Sequence, residues 1–161
     1  MNRAYCADVC TTKLPCLHSG YTDPNDCSRC KCPEGWSGKH CDILSSSSSG
    51  CGGVLIAESS EKTLGGSFKK NQNCVWLIKT PKECQKVRIN VKSIFYSCAQ
   101  FPCHRDYLEI NDGQTDFETT GFRFCCFSPI FPETVSSGNK VLILTRSTLA
   151  GYNFRLKYRI A

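Results

Sequence analysis

Cysteine is the residue type in this 161-residue chain best suited to chemistry, and there are fourteen of them. They are densest in CSRCKCPEGWSGKHC, residues 27–41, which holds four cysteines, a tryptophan and two glycines. Three chemistries suit so many thiols: a zinc site, a redox dithiol, or a set of disulfides. Zinc takes its ligands tetrahedrally, and Cys27, Cys30 and Cys32 with His40 or Cys41 offer a candidate set. Against zinc, Cys30 and Cys32 stand one residue apart, which is cramped for two ligands on one ion, and no second well-spaced C-x2-C follows. The chain has only three histidines, His18, His40 and His104. A redox C-x-x-C belongs beside a βαβ pattern, and none surrounds CSRC. Disulfides remain, and they persist in oxidising compartments rather than in the cytosol. The expected address is therefore secreted or extracellular.

Other catalytic arrangements find little support. Cys103 adjoins His104, but neighbours on a strand point to opposite faces and do not easily share a proton. Serines are abundant, yet no G-x-S-x-G nucleophile elbow is present. No stretch approaches the roughly 18 apolar residues of a spanning helix. The opening MNRAYCADVC has neither the apolar run nor the cleavage site of a signal peptide. Thiols that need an oxidising compartment, without a leader, lead us to expect a piece of a larger secreted chain.

The elements that must position these residues divide at a run of five serines within DILSSSSSG, Asp42–Gly50. Such a run reads as a flexible coil. Seven cysteines precede it (Cys6, Cys10, Cys16, Cys27, Cys30, Cys32, Cys41) and seven follow (Cys51, Cys74, Cys84, Cys98, Cys103, Cys125, Cys126). Residues 1–50 are electrically balanced, so the net charge of +6 belongs to the second part. That part reads as β throughout. Tyr152, Phe154, Leu156, Tyr158 and Ile160 alternate with Asn153, Arg155, Lys157 and Arg159, the period of a strand with one wet face. Val87, Ile89 and Val91 alternate with Lys86, Arg88, Asn90 and Lys92 in the same way. Turn signals at LGGS, NDGQ and SSGN separate short strands, the pattern of an antiparallel sandwich. Aromatic residues crowd positions 95–131. Most are expected in the core, and those beside SCAQFPC and CFSPIFPE would form an apolar contact patch.

The spacing C-x5-C-x10-C-x2-C-x-C-x8-C, from Cys10 to Cys41, allows fifteen pairings by arithmetic. It resembles an EGF-like module, whose closing signature is matched by CKCPEGWSGKHC. The resemblance implies Cys10–Cys27, Cys16–Cys30 and Cys32–Cys41. The segment from Cys51 resembles a CUB domain: CVW at Cys74–Trp76, CHRDYLEINDG at Cys103–Gly113, FRFCC, and the closing GYNFRLKYRI. This implies Cys51–Cys74 and Cys103–Cys125 and leaves Cys84, Cys98 and Cys126 unassigned. MNRAYC resembles the end of an astacin-type catalytic domain, with Cys6 its last cysteine, and TGFRFCC and the EGF stretch are similar to the nematode branch of that family. The expected class is all-β: a small disulfide-rich EGF-like module followed by a CUB-type antiparallel sandwich. The expected divisions are 1–9 for the end of a preceding domain, 10–41 EGF-like, 42–50 serine-rich linker and 51–161 CUB.

The resemblance also frames the ligand question. Many CUB domains hold calcium through three acidic side chains. Asp106 matches one position, residues 91–105 contain no Asp or Glu, and the later acidic position falls within TRSTLAG. A hard cation wants six to eight oxygens, so the calcium site is read as incomplete and Asp106 as structural or surface. The EGF stretch offers only Asp8 before Cys10 and is read as calcium-free. An astacin-like enzyme needs H-E-x-x-H-x-x-G-x-x-H to bind zinc; no histidine here is followed by Glu. We therefore expect no catalytic residue, metal or cofactor in this chain, with zinc only in a catalytic domain outside it. The expected function is extracellular protein interaction, recognising substrate or anchoring an astacin-like protease. The alternatives are a truncated form of a full zinc metalloendopeptidase and a stand-alone secreted EGF–CUB adhesion or decoy protein. Expected partners are extracellular or matrix proteins, with an acidic ligand on a basic face formed by Lys86, Arg88, Lys92, Arg155, Lys157 and Arg159; nucleic acid and a membrane span are not expected. Thiol titration of the natural secreted protein tests the scaffold reading: mostly blocked sulfhydryls are expected, and mostly open ones, or stoichiometric zinc, would exclude it.

Overall fold

The computed structural model describes residues 9–96, 103–117, 120–125 and 133–161. The chain divides into two compact units, Met1–Ser45 with Thr115–Thr120, and Ser46–Gln114 with Gly121–Ala161. The contribution of Thr115–Thr120 to the first unit is a feature that linear spacing does not reveal.

The first unit has little apolar sequence and is organised around sulfur. Strands β1 (Tyr21–Asp23) and β2 (Asp26–Lys31) form one antiparallel hairpin, and β3 (Trp36–Ser37) pairs with β4 (Ile43–Leu44). Disulfides join Cys10 to Cys27, Cys16 to Cys30 and Cys32 to Cys41. A chain this short buries too little surface to fold unaided, and each crosslink contributes roughly 2–4 kcal/mol by restricting the unfolded ensemble. Trp36 is buried and stacks on His18 with ring centroids 3.6 Å apart. Gly38 turns the corner after it at φ +87°, where a Cβ would also meet the Asp42 carboxylate at 2.7 Å.

The second unit is a sandwich of two sheets. Its strands are β5 (Gly53–Ile56), β6 (Lys62–Ser67), β7 (Gln72–Lys79), β8 (Val87–Phe95), β9 (Tyr107–Asn111), β10 (Phe122–Phe124), β11 (Thr134–Val135), β12 (Lys140–Ser147) and β13 (Asn153–Ile160). One sheet runs β10-β9-β12-β7-β5 and the other β11-β8-β13-β6. The described residues contain no α-helix, only a short 3-10 turn at Gln114–Phe117. The pairs are antiparallel except β5 with β7, which run parallel. The connectivity explains this: the chain leaves the first sheet after β5, crosses to the second as β6 and returns as β7, so two reversals restore its direction.

Alternation decides which side chains meet between the sheets. Trp76 and Ile78 of β7, Leu108 and Ile110 of β9, and Val141 and Ile143 of β12 face Val87, Ile89 and Val91 of β8 and Phe154, Leu156 and Tyr158 of β13 in one buried cluster. Each such side chain contributes roughly 1.5–3 kcal/mol by leaving water. Phe154 stacks on Phe68 at 5.5 Å and meets the Trp76 ring edge-on at 6.0 Å. The period-two pattern of β8 breaks after Val91. The β13 register shifts there, pairing Ser93 with Arg155 and Val91 with Leu156, so Lys92 is an extra residue in a bulge. The bulge restores Ile94 and Tyr96 to the core side.

The serine run departs from the flexible coil expected of its composition. The Ser47 hydroxyl accepts from the Val75 amide at 2.8 Å, and the Ser48 hydroxyl accepts from the Asn73 amide at 3.0 Å. The Ser48 amide in turn donates to the Asn73 carbonyl at 2.8 Å. These serines satisfy edge groups of β7 beside the Cys51–Cys74 disulfide, an outcome that depends on a neighbouring strand absent from any composition argument.

Gly65 sits opposite Arg155 in the β6–β13 ladder at φ +149°, and a Cβ there would approach the Phe154 carbonyl oxygen to 2.1 Å. Gly65→Ala combines backbone strain with a clash against a central strand. It is expected to lower unfolding stability by about 2–4 kcal/mol, measured by the denaturant midpoint.

Candidate protein-interaction surface

In the sandwich, disulfides join Cys51 to Cys74 and Cys103 to Cys125. Cys84 is exposed and has no disulfide partner among the described residues. Cys6, Cys98 and Cys126 lie outside the described residues. The Cys103–Cys125 bridge ties the segment before β9 to the end of β10 and so positions His104, Arg105 and Asp106. With its sulfur in a disulfide, Cys103 offers no nucleophile to His104.

Asp106 is 3% exposed. Its carboxylate accepts the Thr148 amide, and the Thr148 hydroxyl lies 2.8 and 2.9 Å from its two oxygens. One side chain thus pins the loop between β12 and β13 to the start of β9. Tyr96, stacked on Tyr152 at 5.0 Å, packs in the core. Burial first, then the Asp106 charge, pushes the Tyr96 phenol well above its ordinary range. The hydroxyls of Tyr96 and Tyr152 have no hydrogen-bond partner among the described residues.

Beside this loop, His104, Arg105, Arg146, Asn71, Asn73 and Thr148 line an open cavity of about 320 Å³. Among the described residues, none that lines it is acidic and no cluster of three metal-ligating side chains occurs. Both Asp106 oxygens are engaged by Thr148. This donor set does not fit a calcium ion, which needs several oxygens and gains nothing from two guanidinium groups.

The basic strand face is less basic than the alternation implied. Arg88 bonds Glu133, and Lys157 bonds Glu61. The hydrogen bond from Arg88 holds the Glu133 carboxyl below its ordinary range, and Lys157 does the same for Glu61. The acidic residues come from segments distant in sequence, so a charge pattern read along β8 and β13 alone could not reveal them.

A further polar cluster escaped the sequence reading. Glu109, in the middle of β9, is 2% exposed. It accepts the Gly121 amide at 2.9 Å and the Arg123 Nε at 2.6 Å. The Arg123 guanidinium lies 4.1 Å from the centroid of Tyr107, a cation–π contact. The available signal was a carboxylate inside the otherwise apolar YLEIN. Among the aromatic residues expected near a contact patch, Phe117 and Phe124 are buried while Phe122 is 67% exposed; Phe101, Phe127 and Phe131 lie outside the described residues. Phe122 and Val135 flank an apolar slot of about 160 Å³.

Comparison with known proteins places this architecture. The family model for the CUB domain matches residues 51–158. The chain belongs to the CUB domain family. Its CUB region shares its fold with the MASP-1 CUB2 domain bound to Ca2+, at a TM-score of 0.53 and 24% identity, covering 68% of this chain and 99% of that one. Among curated relatives, zinc metalloproteinase nas-30 of Caenorhabditis elegans is 37% identical over 98% of this chain. Zinc metalloproteinase dpy-31 of Brugia malayi is 38% identical over 94%. The chain spans 20% and 26% of the lengths of those two proteins. The CUB chain is thus similar to a minor part of nematode zinc metalloproteinases of the astacin family.

Asp106 holds Thr148, one of the residues that line the cavity, by hydrogen bonds. Thr148→Val removes the hydroxyl from a buried carboxylate and is expected to cost about 1–3 kcal/mol of stability, measured by urea unfolding. Thr148→Ser, which keeps the hydroxyl, is expected to recover most of that loss.

Proposed function

We propose that this chain is an extracellular, non-catalytic protein-interaction region that recognises substrate for, or anchors, an astacin-like secreted zinc metalloprotease. The observation that carries the proposal is the match of nearly the whole chain to a minor share of zinc metalloproteinases, combined with a sequence in which no histidine is followed by Glu. In this reading residues 10–41 are an EGF-like module and residues 51–161 the CUB domain. Zinc and peptide hydrolysis belong to a catalytic domain outside this sequence. Five disulfides among the described residues support the oxidising compartment. The surface supports recognition: an open polar cavity at one end of the sandwich, a separate apolar slot, and sheet faces whose ion pairs keep them soluble.

Recognition of a macromolecule away from the scissile bond makes a specific kinetic prediction. Added in excess to a full-length astacin-like relative, the chain is expected to slow cleavage of a matrix-protein substrate severalfold. Cleavage of a short peptide that reaches only the catalytic cleft should not change. Equal rates on the protein substrate with and without the chain, together with no capture of substrate or matrix protein on immobilised chain, would reject the proposal.

A further inference from the structure

Strand β6 is the last strand of its sheet and pairs with β13 alone. Just beyond the ends of both strands the Phe68 amide donates to the Tyr152 carbonyl at 2.8 Å, which fixes the phase of the ladder. Bonds to β13 then fall to Gly66, Leu64 and Lys62, and the amides and carbonyls of Thr63, Gly65 and Ser67 face away from the sheet. The same three residues are exposed and share the outer face with Arg155, because paired residues project to one side. An open edge is a template for a further strand unless proline, charge or a covering element blunts it. From Thr63 to Ser67 the strand carries no proline and no charge.

A groove of about 430 Å³ runs beside this edge, lined in part by Thr63, Gly65, Ser67, Ser93 and Arg155. Arg155 stands between Gly65 of β6 and Ser93 of β8 in the register, so its two cross-strand neighbours are small. Its own side chain is exposed. Among the described residues Arg155 enters no ion pair, whereas Lys157, two residues on, is bonded to Glu61.

We propose that the β6 edge takes an extended segment of an extracellular protein partner as an added strand, with an Asp or Glu of that segment held by Arg155; the proposal rests on the protein-recognition reading above. In strand addition, main-chain hydrogen bonds supply affinity and pockets for alternate side chains supply specificity. Thr63, Gly65 and Ser67 offer the main-chain groups, and the groove offers the pocket. An added strand lies about 4.8 Å from its neighbour. Its side chain opposite Gly65 reaches across a position with no Cβ toward the Arg155 guanidinium. A guanidinium fork matches a carboxylate, and such charge-assisted bonds are about twice as strong as neutral ones. Charge also decides against two other occupants. A second copy pairing through its own β6 would bring a second Arg155 to the same groove. A sulfated polysaccharide would need cations continued along the face, where Arg88 and Lys157 are bonded to Glu133 and Glu61.

The test uses the 161-residue chain and a short fluorescent peptide of alternating threonine and valine with one central glutamate. Saturable binding by anisotropy is expected, with NMR shifts and slowed hydrogen exchange at the Thr63, Gly65 and Ser67 amides. N-methylation of alternate peptide amides is expected to abolish binding in one phase and spare it in the other, since only one set faces β6. Arg155→Glu is expected to weaken binding about tenfold, about 1.4 kcal/mol, and a peptide with lysine in place of glutamate is expected to restore it. The methylated peptides leave the protein unaltered and decide the question even where a variant fails to fold. Absence of saturable binding, equal effects of the two methylation phases, or undiminished binding to folded Arg155→Glu overturns the proposal. Shifts centred away from β6, or a sulfated oligosaccharide that displaces the peptide, overturn the assignment to a protein strand. Concentration-dependent dimerisation that protects the same amides assigns the edge to a second copy and overturns the proposed occupant. The substrate-competition assay separates this failure from that of the broader reading. If Arg155→Glu competes as well as the unaltered chain, recognition stands and the β6 edge is not its site. If the unaltered chain does not compete, the broader reading fails by itself.

Discussion

Covalent sulfur crosslinking is the constraint on which the rest of this structure depends. In the first unit it substitutes for a hydrophobic core. The hairpin strands are two to six residues long, too short to hold themselves, and Trp36 is the one large apolar side chain of Met1–Ser45 that the described residues show buried. In the sandwich a true core exists, and sulfur takes a different role. Cys51–Cys74 fastens the entry of β5 to β7, whose edge groups Ser47 and Ser48 also satisfy. Cys103–Cys125 fastens the segment that carries His104, Arg105 and Asp106. A loop of three polar residues would otherwise sample many conformations, and its ordering entropy would count against any binding it mediates.

Buried carboxylates complete the positioning that sulfur begins. Asp106 and Glu109 lie three residues apart at the start and middle of β9, and both are almost fully buried. Leaving water costs an ionised carboxylate several kcal/mol unless hydrogen bonds replace its hydration. Each finds those bonds on another element: Asp106 on the β12–β13 loop, Glu109 on Gly121 and Arg123. The two anions therefore act as fasteners between segments far apart in sequence. With Asp106 turned inward, its two oxygens are spent on Thr148 rather than offered to a metal.

Much of the sandwich was legible in sequence because a strand with one buried face writes its geometry as alternation. Phe154, Leu156 and Tyr158 face inward and Arg155 faces outward, as the period of two requires. Alternation cannot announce a bulge, because one inserted residue merely shifts its phase; Lys92 shows this. It also cannot announce partners across strands. Glu61 and Glu133 neutralise cations that stand 96 and 45 residues away, so a face that reads as basic along one strand is partly paired in space. Composition misled at the serine run for the same reason: a side chain with both donor and acceptor becomes ordered once an unpaired strand edge lies beside it.

The amino-acid sequence by itself determined the class of this protein: β-rich, disulfide-dense, with none of the histidine–glutamate pairing that a peptide-cleaving zinc site requires. Those properties follow from residue type and short-range period, which act locally. Only the tertiary structure decided which carboxylates are buried and which cations on the strand faces are paired with Glu61 and Glu133. Each of those outcomes depends on the distance between groups remote along the chain, and that distance is set by how two sheets close on one another.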